Sequence, residues 1–367
     1  MKKFLILIIL MLMSRAEAGS WSPELKIGIL NGVEQVTLKV SAPCIMIDAN
    51  SGETLTKIPA DKKFIIRSSK INFKAIEIMP EEILLKDLVT TIEDKEYFGG
   101  VRLNKVGEKF TVINVVPIEE YLRGVVPEEM SPSYPLEALK AQAIAARSFA
   151  LKNRGRHYTE DYDLCATTHC QVYAGVKSLA TTDKAIAETR GEILTYKNTL
   201  INTNFHADSG GATENVIDVW GTGTPYLRTV KEKFKVEETW TAKFTAADFS
   251  SRFGESFGEV QSIKLSKLKV GKSSSDRTSS GRVKTAQIVG SKRTLNIKGL
   301  DLRRKFSLPS TLFDMELKNG EIIFTGFGSG HGVGMSQRGA KIYANDGWSC
   351  EKILTHYYHG TKVNKLY

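Results

Sequence analysis

The stretch SPSYPLEALKAQAIAARSFALKNRG, residues 131–155, decides the fold because it carries the strongest helix signal in the chain. Its apolar residues recur at steps of three and four, which predicts an amphipathic helix. Pro135 suits the first helical turn, and Gly155 suits the end. The apolar stripe is made mostly of small side chains, so the helix can pack tightly inside a core; its members are Leu136, Leu139, Ala143, Ala146 and Ala150.

Short β-strands are predicted before this helix. Residues 24–118 contain the runs LKIGIL, VTLKV, CIMIDA, KFIIRS and AIEIM, followed by a hairpin that turns at Gly107-Glu108 and by a short helix, IEEYLRGV. After the long helix come another helix closed by Gly191, a strand pair leading to His206, and a hairpin turning at Asn319-Gly320. We therefore expect an α+β fold, with a mixed core of a buried helix and antiparallel β-sheets, plus β-rich peripheral subdomains.

The size of the chain allows a large core. It has 367 residues, 41% of them hydrophobic, which indicates two domains or one domain with insertions. The domains that we expect are a signal peptide (1–18), an N-terminal β-rich region (19–110), a first core part (111–229), a basic insertion (230–310) and a second core part (311–367).

The N-terminal sequence MKKFLILIILMLMSRAEAGS has the organisation of an export signal. Lys2 and Lys3 precede an apolar run, Phe4 to Met13, that is too short to cross a bilayer. Ala16-Glu17-Ala18 is an A-x-A cleavage signal. We expect an exported protein that is periplasmic or associated with the cell wall; an uncleaved membrane anchor is the alternative.

The formal charge of +10 is concentrated in one region. Residues 262–307 hold thirteen Lys or Arg and two acidic residues, around the Ser- and Gly-rich segment GKSSSDRTSSGR, which we expect to be mobile. Such a basic insertion favours polyanions, an acidic partner or a peripheral contact with an acidic membrane surface. Nucleic acid is not expected as a partner of an exported protein. A solvated arm without a partner is the alternative.

Three polar clusters are candidates for chemistry. In VVPEEM, Glu128 and Glu129 fall in a Pro-bounded turn beside apolar residues, where a carboxyl group can hold a proton and act as an acid; one of them can instead cap the long helix. The segment 157–170 contains His157, Cys165, His169 and Cys170, a donor set that suits tetrahedral zinc, although a disulfide between the two cysteines is equally open.

The third cluster comprises two Gly-rich segments, HADSGGATEN (206–215) and GFGSGHGVGMSQRGA (326–340). Their glycines let a bulky ligand approach the backbone closely. The spacing fits neither a dinucleotide nor a phosphate-loop motif, so no nucleotide or organic cofactor is expected. A tight structural turn is the alternative reading of the second segment.

Four blocks together resemble the SpoIID/LytB family. They are YLRGVVPEEMSPSYPLEALKAQAIAARSFAL, LCATTHCQVYAG, FHADSGGATEN and GSGHGVGMSQRGA, in the family's order. The resemblance covers roughly 115–226 and 324–358; the remaining regions match nothing. It implies an exported peptidoglycan enzyme, since sporulation members are lytic transglycosylases that act on glycan strands stripped of stem peptides.

The resemblance also implies roles for single residues. The family's catalytic glutamate directly precedes Met, which is Glu129 here. Its zinc has been associated with positions that match Cys165, His169 and Cys170, with His157 as a less secure fourth ligand. Its glycan-binding positions would form opposite walls of the cleft around Glu129; they are His206, Ser209, Gly210, His331, Gly332, Ser336 and Gln337.

The chain departs from the family pattern in two places. Ser131 lies between Met130 and Pro132, and Phe205-His206-Ala207 replaces the usual Tyr-His-Ser. These departures bear on fine substrate positioning more than on the class of function. The rival function is a non-catalytic one, in which the chain binds glycan and enhances a wall amidase, as LytB-like relatives do. A third interpretation places the catalytic metal of an amidase on His206, His331 and one cysteine.

Overall fold

The computed structural model describes residues 22–177, 179–234, 236 and 238–367. The predicted signal peptide, 1–18, lies outside the described residues. The chain divides into two compact units, one with residues up to 193 and residues 364–367, the other with residues 194–363. None of the helices within the described ranges combines the length and the apolarity needed to span a lipid bilayer.

Within the described residues, the first unit is built on two sheets and three helices. Its helices are α1 (Ile118–Glu129), α2 (Leu136–Lys152) and α3 (Ala180–Glu188). Its strands are β1 (Glu24–Val33), β2 (Gln35–Val40), β3 (Cys44–Asp48), β4 (Thr54–Ile58), β5 (Phe64–Arg67), β6 (Ala75–Pro80), β7 (Val89–Ile92), β8 (Lys95–Phe98), β9 (Gly100–Val106), β10 (Lys109–Pro117) and β11 (Leu164–Cys165).

The larger sheet of this unit has the order β11-β1-β10-β9-β6-β3-β4, and the smaller one β5-β2-β7-β8. The predicted hairpin is confirmed, since β9 and β10 pair antiparallel with Val106 opposite Lys109. Only β11 runs parallel to its neighbour, β1, within the larger sheet as described. Residue 110 falls inside β10, so the N-terminal strands and the helices that follow belong to one unit.

The second unit holds five helices and most of the remaining strands among the described residues. The helices are α4 (Val216–Trp220), α5 (Ala246–Ser251), α6 (Gly299–Phe306), α7 (Gln337–Asn345) and α8 (Cys350–Tyr357). The strands are β12 (Glu192–Tyr196), β13 (Thr199–Leu200), β14 (Phe205–His206), β15 (Thr239–Thr245), β16 (Val260–Lys264), β17 (Thr285–Gly290), β18 (Thr294–Lys298), β19 (Phe313–Lys318), β20 (Glu321–Phe327), β21 (Met335–Ser336) and β22 (Lys362–Lys365).

These strands form small sheets of orders β13-β12-β22, β14-β21, β15-β20-β19 and β16-β17-β18. The chain passes between the units within β12 and again within β22. The hairpin predicted at Asn319-Gly320 is confirmed, and both turn residues have the positive φ that this turn requires, 50° and 76°. Helices and antiparallel sheets in both units confirm the α+β class.

Helix α2 is buried on every side rather than along one stripe. Its twelve residues from Ala138 to Ala150, Lys140 excepted, are buried, and six of them are alanine. Small side chains let neighbouring elements approach the whole circumference of the helix. The charged member, Arg147, remains inside because it is paired: it holds Glu119 of α1 in a bidentate ion pair, with Nε to Oε1 at 2.9 Å and Nη2 to Oε2 at 2.7 Å.

Two local predictions are wrong. Glu128 and Glu129 form the last turn of α1 rather than a loop, because the amide of Met130 closes the helix on the Val126 carbonyl despite Pro127. The segment 271–282 is not a solvated linker throughout: 272–275 are exposed, but Arg277, Thr278 and 280–282 are buried. Arg277 is 3% exposed and donates to the carbonyls of Gly281 and Phe313, so the loop is fixed by buried hydrogen bonds.

Candidate functional site

The two neighbouring glutamates at the end of α1 have different partners. Glu129 is half-buried rather than buried, and its Oε1 accepts the backbone N–H of Val172 at 3.0 Å. Glu128 is ion-paired with Lys177. The structure therefore separates the two carboxylates that the sequence places side by side: one is fixed against the loop after α2 and the other is neutralised by a lysine.

The loop that holds Glu129 is packed directly on α1. Gly124 lies so close to it that a Cβ atom would come within 2.4 Å of the Gly175 carbonyl oxygen and 2.5 Å of the Tyr173 ring. Gln171 accepts from the hydroxyl of Tyr121 at 3.2 Å, and Tyr173 donates to Asn114 at 2.9 Å. These contacts hold residues 171–175, from the block LCATTHCQVYAG, against α1. They thereby fix the position of the Val172 amide, which donates to Glu129.

The predicted Cys/His cluster lies at the start of this loop. The ligand atoms of His157, Cys165, His169 and Cys170 all lie within 4.8 Å of one another. His157, the less secure ligand in the sequence analysis, therefore lies with the other three. The Sγ atoms of both cysteines lie 3.6 Å from Nδ1 of His169, and Sγ of Cys170 lies 3.5 Å from Nε2 of His157. The two thiols are free, and no disulfide joins them in the described structure.

These distances fit a tetrahedral metal site. Zinc bonds of about 2.3 Å to sulfur and 2.0 Å to nitrogen place neighbouring S and N ligands about 3.6 Å apart in a tetrahedron. The second ring nitrogen of His157 lies 3.6 Å from the carboxylate of Glu160, the arrangement by which metal-bound histidines are oriented. Glu160 was missed by the sequence analysis, and its spacing of three residues from His157 was the signal that could have found it.

One of the thiols is set to ionise near neutral pH. Burial alone would raise the pKa of Cys165, but hydrogen bonds from Thr167 and His169 outweigh it and lower the pKa to about 7. Burial raises the pKa of the Cys170 thiol to about 11. A thiolate and two imidazoles facing one point form a donor set for a soft divalent cation.

The two Gly-rich segments lie side by side in the second unit. Strand β14 pairs with β21 in parallel, which sets His206 opposite Ser336. The rings of His206 and His331 have centroids 5.5 Å apart, and the Trp220 ring contacts His331 in a tilted arrangement with centroids 5.3 Å apart. Nδ1 of His206 donates to the Val333 carbonyl at 3.1 Å, and Nδ1 of His331 accepts the Val333 amide at 3.0 Å.

Both histidines are neutral at physiological pH. Burial, reinforced by the neighbouring His331 and Arg282, holds the pKa of His206 well below its usual range. Burial and the positive charges of Arg282 and Arg303 lower the pKa of His331 to about 4. Nε2 of His206 is buried and has no hydrogen-bond partner within the described part of the chain.

Several predicted glycan-binding residues have internal partners in the structure. The hydroxyl of Ser209 is fully buried and donates to the carboxylate of Glu232, which also accepts from Tyr357 at 2.6 Å. Ser336 is the N-cap of α7, accepting the Gly339 amide at 3.1 Å. Gly210, Gly332 and Gln337 lie in the same unit, the two glycines at positive φ. Direct contact of these residues with a glycan stays a prediction.

Gly332 is required by packing. A Cβ atom there would lie 2.6 Å from the guanidinium of Arg282, a buried residue that the sequence analysis missed. Arg282 donates from Nη2 to the Ser209 carbonyl at 2.7 Å, so it joins the two Gly-rich segments. Because Arg282 lies in a Ser- and Gly-rich run, the sequence predicted it to be part of a solvated linker.

The structure offers no support for the amidase-type metal site on the two histidines. Across residues 22–177, 179–234, 236 and 238–367, the group of side chains close enough to hold a metal is the Cys/His cluster of the first unit. The Glu129 carboxylate belongs to the first unit and His206 and His331 to the second. That the three meet in one cleft stays a prediction.

Comparison with known proteins gives the family. A model described as Stage II sporulation protein (SpoIID) matches residues 106–196. The stage II sporulation protein D of Bacillus subtilis (strain 168) is 36% identical over 271 residues, which cover 68% of this chain and 75% of that protein. The chain belongs to the SpoIID/LytB family. Membership supports a cell-wall-related function for this SpoIID/LytB protein.

Further relatives agree with that placement. An uncharacterised protein of Brachyspira hyodysenteriae is 33% identical over 283 residues, 74% of this chain and 73% of its own length. A protein of Bacillus subtilis named Amidase enhancer is 29% identical over 352 residues, which cover 81% of this SpoIID/LytB chain but 49% of that protein. A second model, described as a domain of unknown function (DUF8618), matches residues 226–334.

Proposed function

We propose that the protein is a peptidoglycan lytic transglycosylase that cleaves the bond between N-acetylmuramic acid and N-acetylglucosamine in peptide-stripped strands. The observation that carries the proposal is the placement of one carboxylate, Glu129, on the Val172 amide two residues after the Cys/His cluster. Family membership supports the wall-related setting. Glu129 is half-buried and therefore within reach of a bound strand.

One carboxyl group is enough for this reaction. Protonated Glu129 gives its proton to the glycosidic oxygen while the bond from that oxygen to C1 of the muramic acid breaks. The Glu129 carboxylate then takes the proton of the C6 hydroxyl, whose oxygen bonds to C1 and closes a 1,6-anhydro ring. Water is not consumed, and Glu129 ends protonated as it began.

A glycoside hydrolase would need a second carboxyl group as nucleophile or base, at a separation of about 5–9.5 Å. The adjacent carboxylate, Glu128, is ion-paired with Lys177 and cannot take that role without breaking the pair. The pairing of Glu128 thus favours the one-carboxylate reaction over hydrolysis.

We propose a structural zinc ion at His157, Cys165, His169 and Cys170. When bound, zinc would link His157 to the three ligands of the segment 165–170. Cys170 lies two residues before Val172, so a rigid cluster fixes the amide that orients Glu129. His157, in turn, is held by Glu160.

The setting of the reaction follows from the same proposal. The N-terminal signal predicts export, and a periplasmic or wall-associated location is where peptidoglycan is accessible. The surface charge of the basic insertion suits a polyanionic strand or a peripheral membrane contact. Arg277 and Arg282 do not contribute to that surface, because both are buried, Arg277 in an ion pair with Asp314 and Arg282 beside the Ser209 carbonyl.

The test uses two matched variants. Purified wild type, Glu129→Gln and Glu128→Gln are incubated with peptide-free glycan strands, and anhydromuramyl products are measured by mass spectrometry. We expect Glu129→Gln to lose the activity by at least about a hundredfold, the scale of general acid–base catalysis, and Glu128→Gln to retain most of it. Equal activity in all three proteins would contradict the assignment of Glu129.

The second candidate function is that of an amidase enhancer. It is favoured by the relative named Amidase enhancer, whose match extends over more of this chain than that of the sporulation protein. In this case the protein would bind glycan and recruit a wall amidase. Wild type without product in the glycan assay, together with stimulation of a wall amidase by both wild type and Glu129→Gln, would support the enhancer.

A further inference from the structure

A cavity of 670 Å³ in the second unit has the features of a ligand site to which the proposed bond cleavage at Glu129 assigns no role. Its lining includes the rings of Trp220 and His331 and the cations Arg282, Arg303 and Lys298. This volume is within the range of about 300–1,000 Å³ typical of small-ligand sites. All of its lining residues belong to the second unit.

Arg282 is a buried cation whose hydrogen bonds are incomplete. It is 1% exposed, and only its Nη2 has a hydrogen-bond acceptor in the described chain, while Nε and Nη1 are buried without partners. Its nearest carboxylate, Glu214, lies 4.0 Å from Nε, beyond hydrogen-bond distance. A guanidinium left with unsatisfied N–H groups in a cavity wall points to an anionic ligand, since burial without such a partner is costly.

Glu214 lies at ion-pair distance from Arg282 but does not hydrogen-bond it, because its own hydrogen bonds are directed elsewhere. Its Oε2 accepts from the hydroxyls of Thr278 at 2.5 Å and Ser280 at 2.8 Å, and its Oε1 accepts the Asn215 amide at 2.8 Å. Those donors orient the carboxylate so that neither oxygen accepts a hydrogen bond from the guanidinium. The cavity nevertheless has a net positive wall, because its lining holds four cations, Arg282, Lys284, Lys298 and Arg303, against the two carboxylates of Glu214 and Asp218.

An aromatic platform lies at the same cavity. Trp220 is 49% exposed although it is large and apolar, and neighbouring Ile217 is 50% exposed. Its ring is fixed by the contact with His331 and by its position at the end of α4. Exposed aromatic rings that are held rigidly beside a pocket form binding surfaces for the apolar face of a sugar ring.

We propose that this cavity binds a carboxylated sugar ring, with the carboxylate on the wall formed by Arg282, Arg303 and Lys298 and the ring on Trp220. In a glycan strand stripped of peptides, that group is the lactyl carboxylate of N-acetylmuramic acid; this identification rests on the proposed function. A carboxylate is preferred to a phosphate because Glu214 and Asp218 also line the cavity and would repel a dianion. The site thus selects muramic acid over glucosamine.

Two ligands that differ in one group test the selection. N-acetylmuramic acid is N-acetylglucosamine with a lactyl ether added at O3, so their affinities isolate the carboxylate. Binding to the full-length Glu129→Gln protein is measured by isothermal titration calorimetry, which requires no turnover. We expect the muramic acid to bind at least about tenfold tighter, the scale of a hydrogen bond to a charged group.

Variants at the rim keep the test independent of folding. Arg303→Gln and Lys298→Gln each remove a wall charge, and Trp220→Ala removes the platform, while the buried Arg282 stays in place. Lys267→Gln removes an exposed charge outside the cavity lining and is the control. We expect the wall variants to lower muramic acid affinity toward that of glucosamine, Trp220→Ala to weaken both sugars, and Lys267→Gln to change neither.

Several results would overturn the inference. They are equal affinity for the two sugars, inorganic phosphate displacing the muramic acid at a lower concentration than acetate, or a preference that survives in all the cavity variants. The outcome is separable from the proposed reaction. A protein that discriminates the sugars but yields no anhydro product would keep this site and lose the transglycosylase assignment, and an active protein without discrimination would do the reverse.

Discussion

At the residue scale, the chemistry of each group depends on where its hydrogen bonds go. Glu129 and Glu128 are neighbours in sequence, yet one accepts a backbone amide and the other is paired with a lysine. His206 and His331 each direct Nδ1 to the backbone of Val333, one as donor and the other as acceptor. This fixes opposite tautomers in two rings that are nearly in contact.

The low pKa of His331 predicts an acid-labile second unit. Its pKa is about 4 in the folded protein because of burial and two arginines, against about 6.5 in an unfolded chain. The folded state therefore prefers the neutral ring, so its stability is complete above pH 6.5 and is lost as the pH falls toward 4. The loss attributable to this residue is about 3 kcal/mol at pH 4.

Urea unfolding of wild type and His331→Gln across pH 4 to 7 measures this effect. We expect the free energy of unfolding to fall more steeply for wild type, since the variant has no ring to protonate. Glu214 and Glu232, whose pKa values are raised by burial, act in the opposite direction but are common to both proteins. Parallel curves for the two proteins would show that His331 does not carry the dependence.

If zinc binds at the Cys/His cluster, loss of the metal should also loosen the backbone around Val172. In Cys170→Ser we expect the loss of bound zinc, faster hydrogen exchange of the Val172 amide, and reduced transglycosylase activity. Cys350→Ser, which changes a cysteine outside the cluster, is the control and should keep all three. Metal content by mass spectrometry is the first readout. Zinc retained in Cys170→Ser would remove Cys170 from the ligand set, and lost zinc with full activity would limit the metal to stability.

At the element scale, the position of α1 is set by a close approach and a buried ion pair. Gly124 allows the loop 171–175 to touch the helix backbone, and Glu119 is held by Arg147 of α2 and by the Tyr367 hydroxyl. Together these contacts fix the helix that ends in Glu129.

Gly124→Ala tests the close approach. Because the added Cβ would lie 2.4 Å from a backbone oxygen that cannot move alone, we expect a destabilisation of about 1–3 kcal/mol. Gly223→Ala is the matched control, since its Cβ would meet nothing nearer than 3.7 Å. Urea unfolding gives both values, and equal stability of the two variants would refute the packing argument.

Strong local patterns were enough to predict part of this arrangement. The step of three and four residues gave α2, the Asn-Gly turn gave the β19–β20 hairpin, and ligand types close in sequence gave the Cys/His cluster. The pattern did not reveal that α2 is buried all round, because alanines are compatible with one face or with all of them. It also ended α1 too early, because Pro127 predicted the end of the helix, whereas the Met130 amide still closes the last turn on the Val126 carbonyl.

The side-chain contacts between residues far apart in the chain could not be predicted from the sequence. Arg282 lies in a run of Ser, Gly and Lys that is typical of a linker, and its burial depends on the Gly332 backbone, fifty residues further along. Likewise, nothing local to Ser209 indicates that Glu232 will take its hydroxyl. Such partners come from tertiary contacts, whereas composition reports only the average exposure of a segment.

At the scale of the whole molecule, the chemistry is divided between two units. The first holds the carboxylate and the Cys/His cluster, and the second holds the histidine pair and the Arg282 cavity. The proposed enzyme would use the first for bond cleavage and the second for selecting the sugar. An amidase enhancer would need only the sugar selection by the second unit and no bond cleavage by the first.

The most direct test of bond cleavage by a single carboxylate is the fate of water. Peptide-free glycan strands are digested by the wild-type protein in water enriched in oxygen-18, and the new ends are analysed by mass spectrometry. We predict 1,6-anhydromuramyl ends that contain no oxygen-18, because the C6 hydroxyl supplies the attacking oxygen. Reducing ends that carry oxygen-18 would identify a hydrolase and contradict the mechanism, and intact strands would contradict an enzyme altogether.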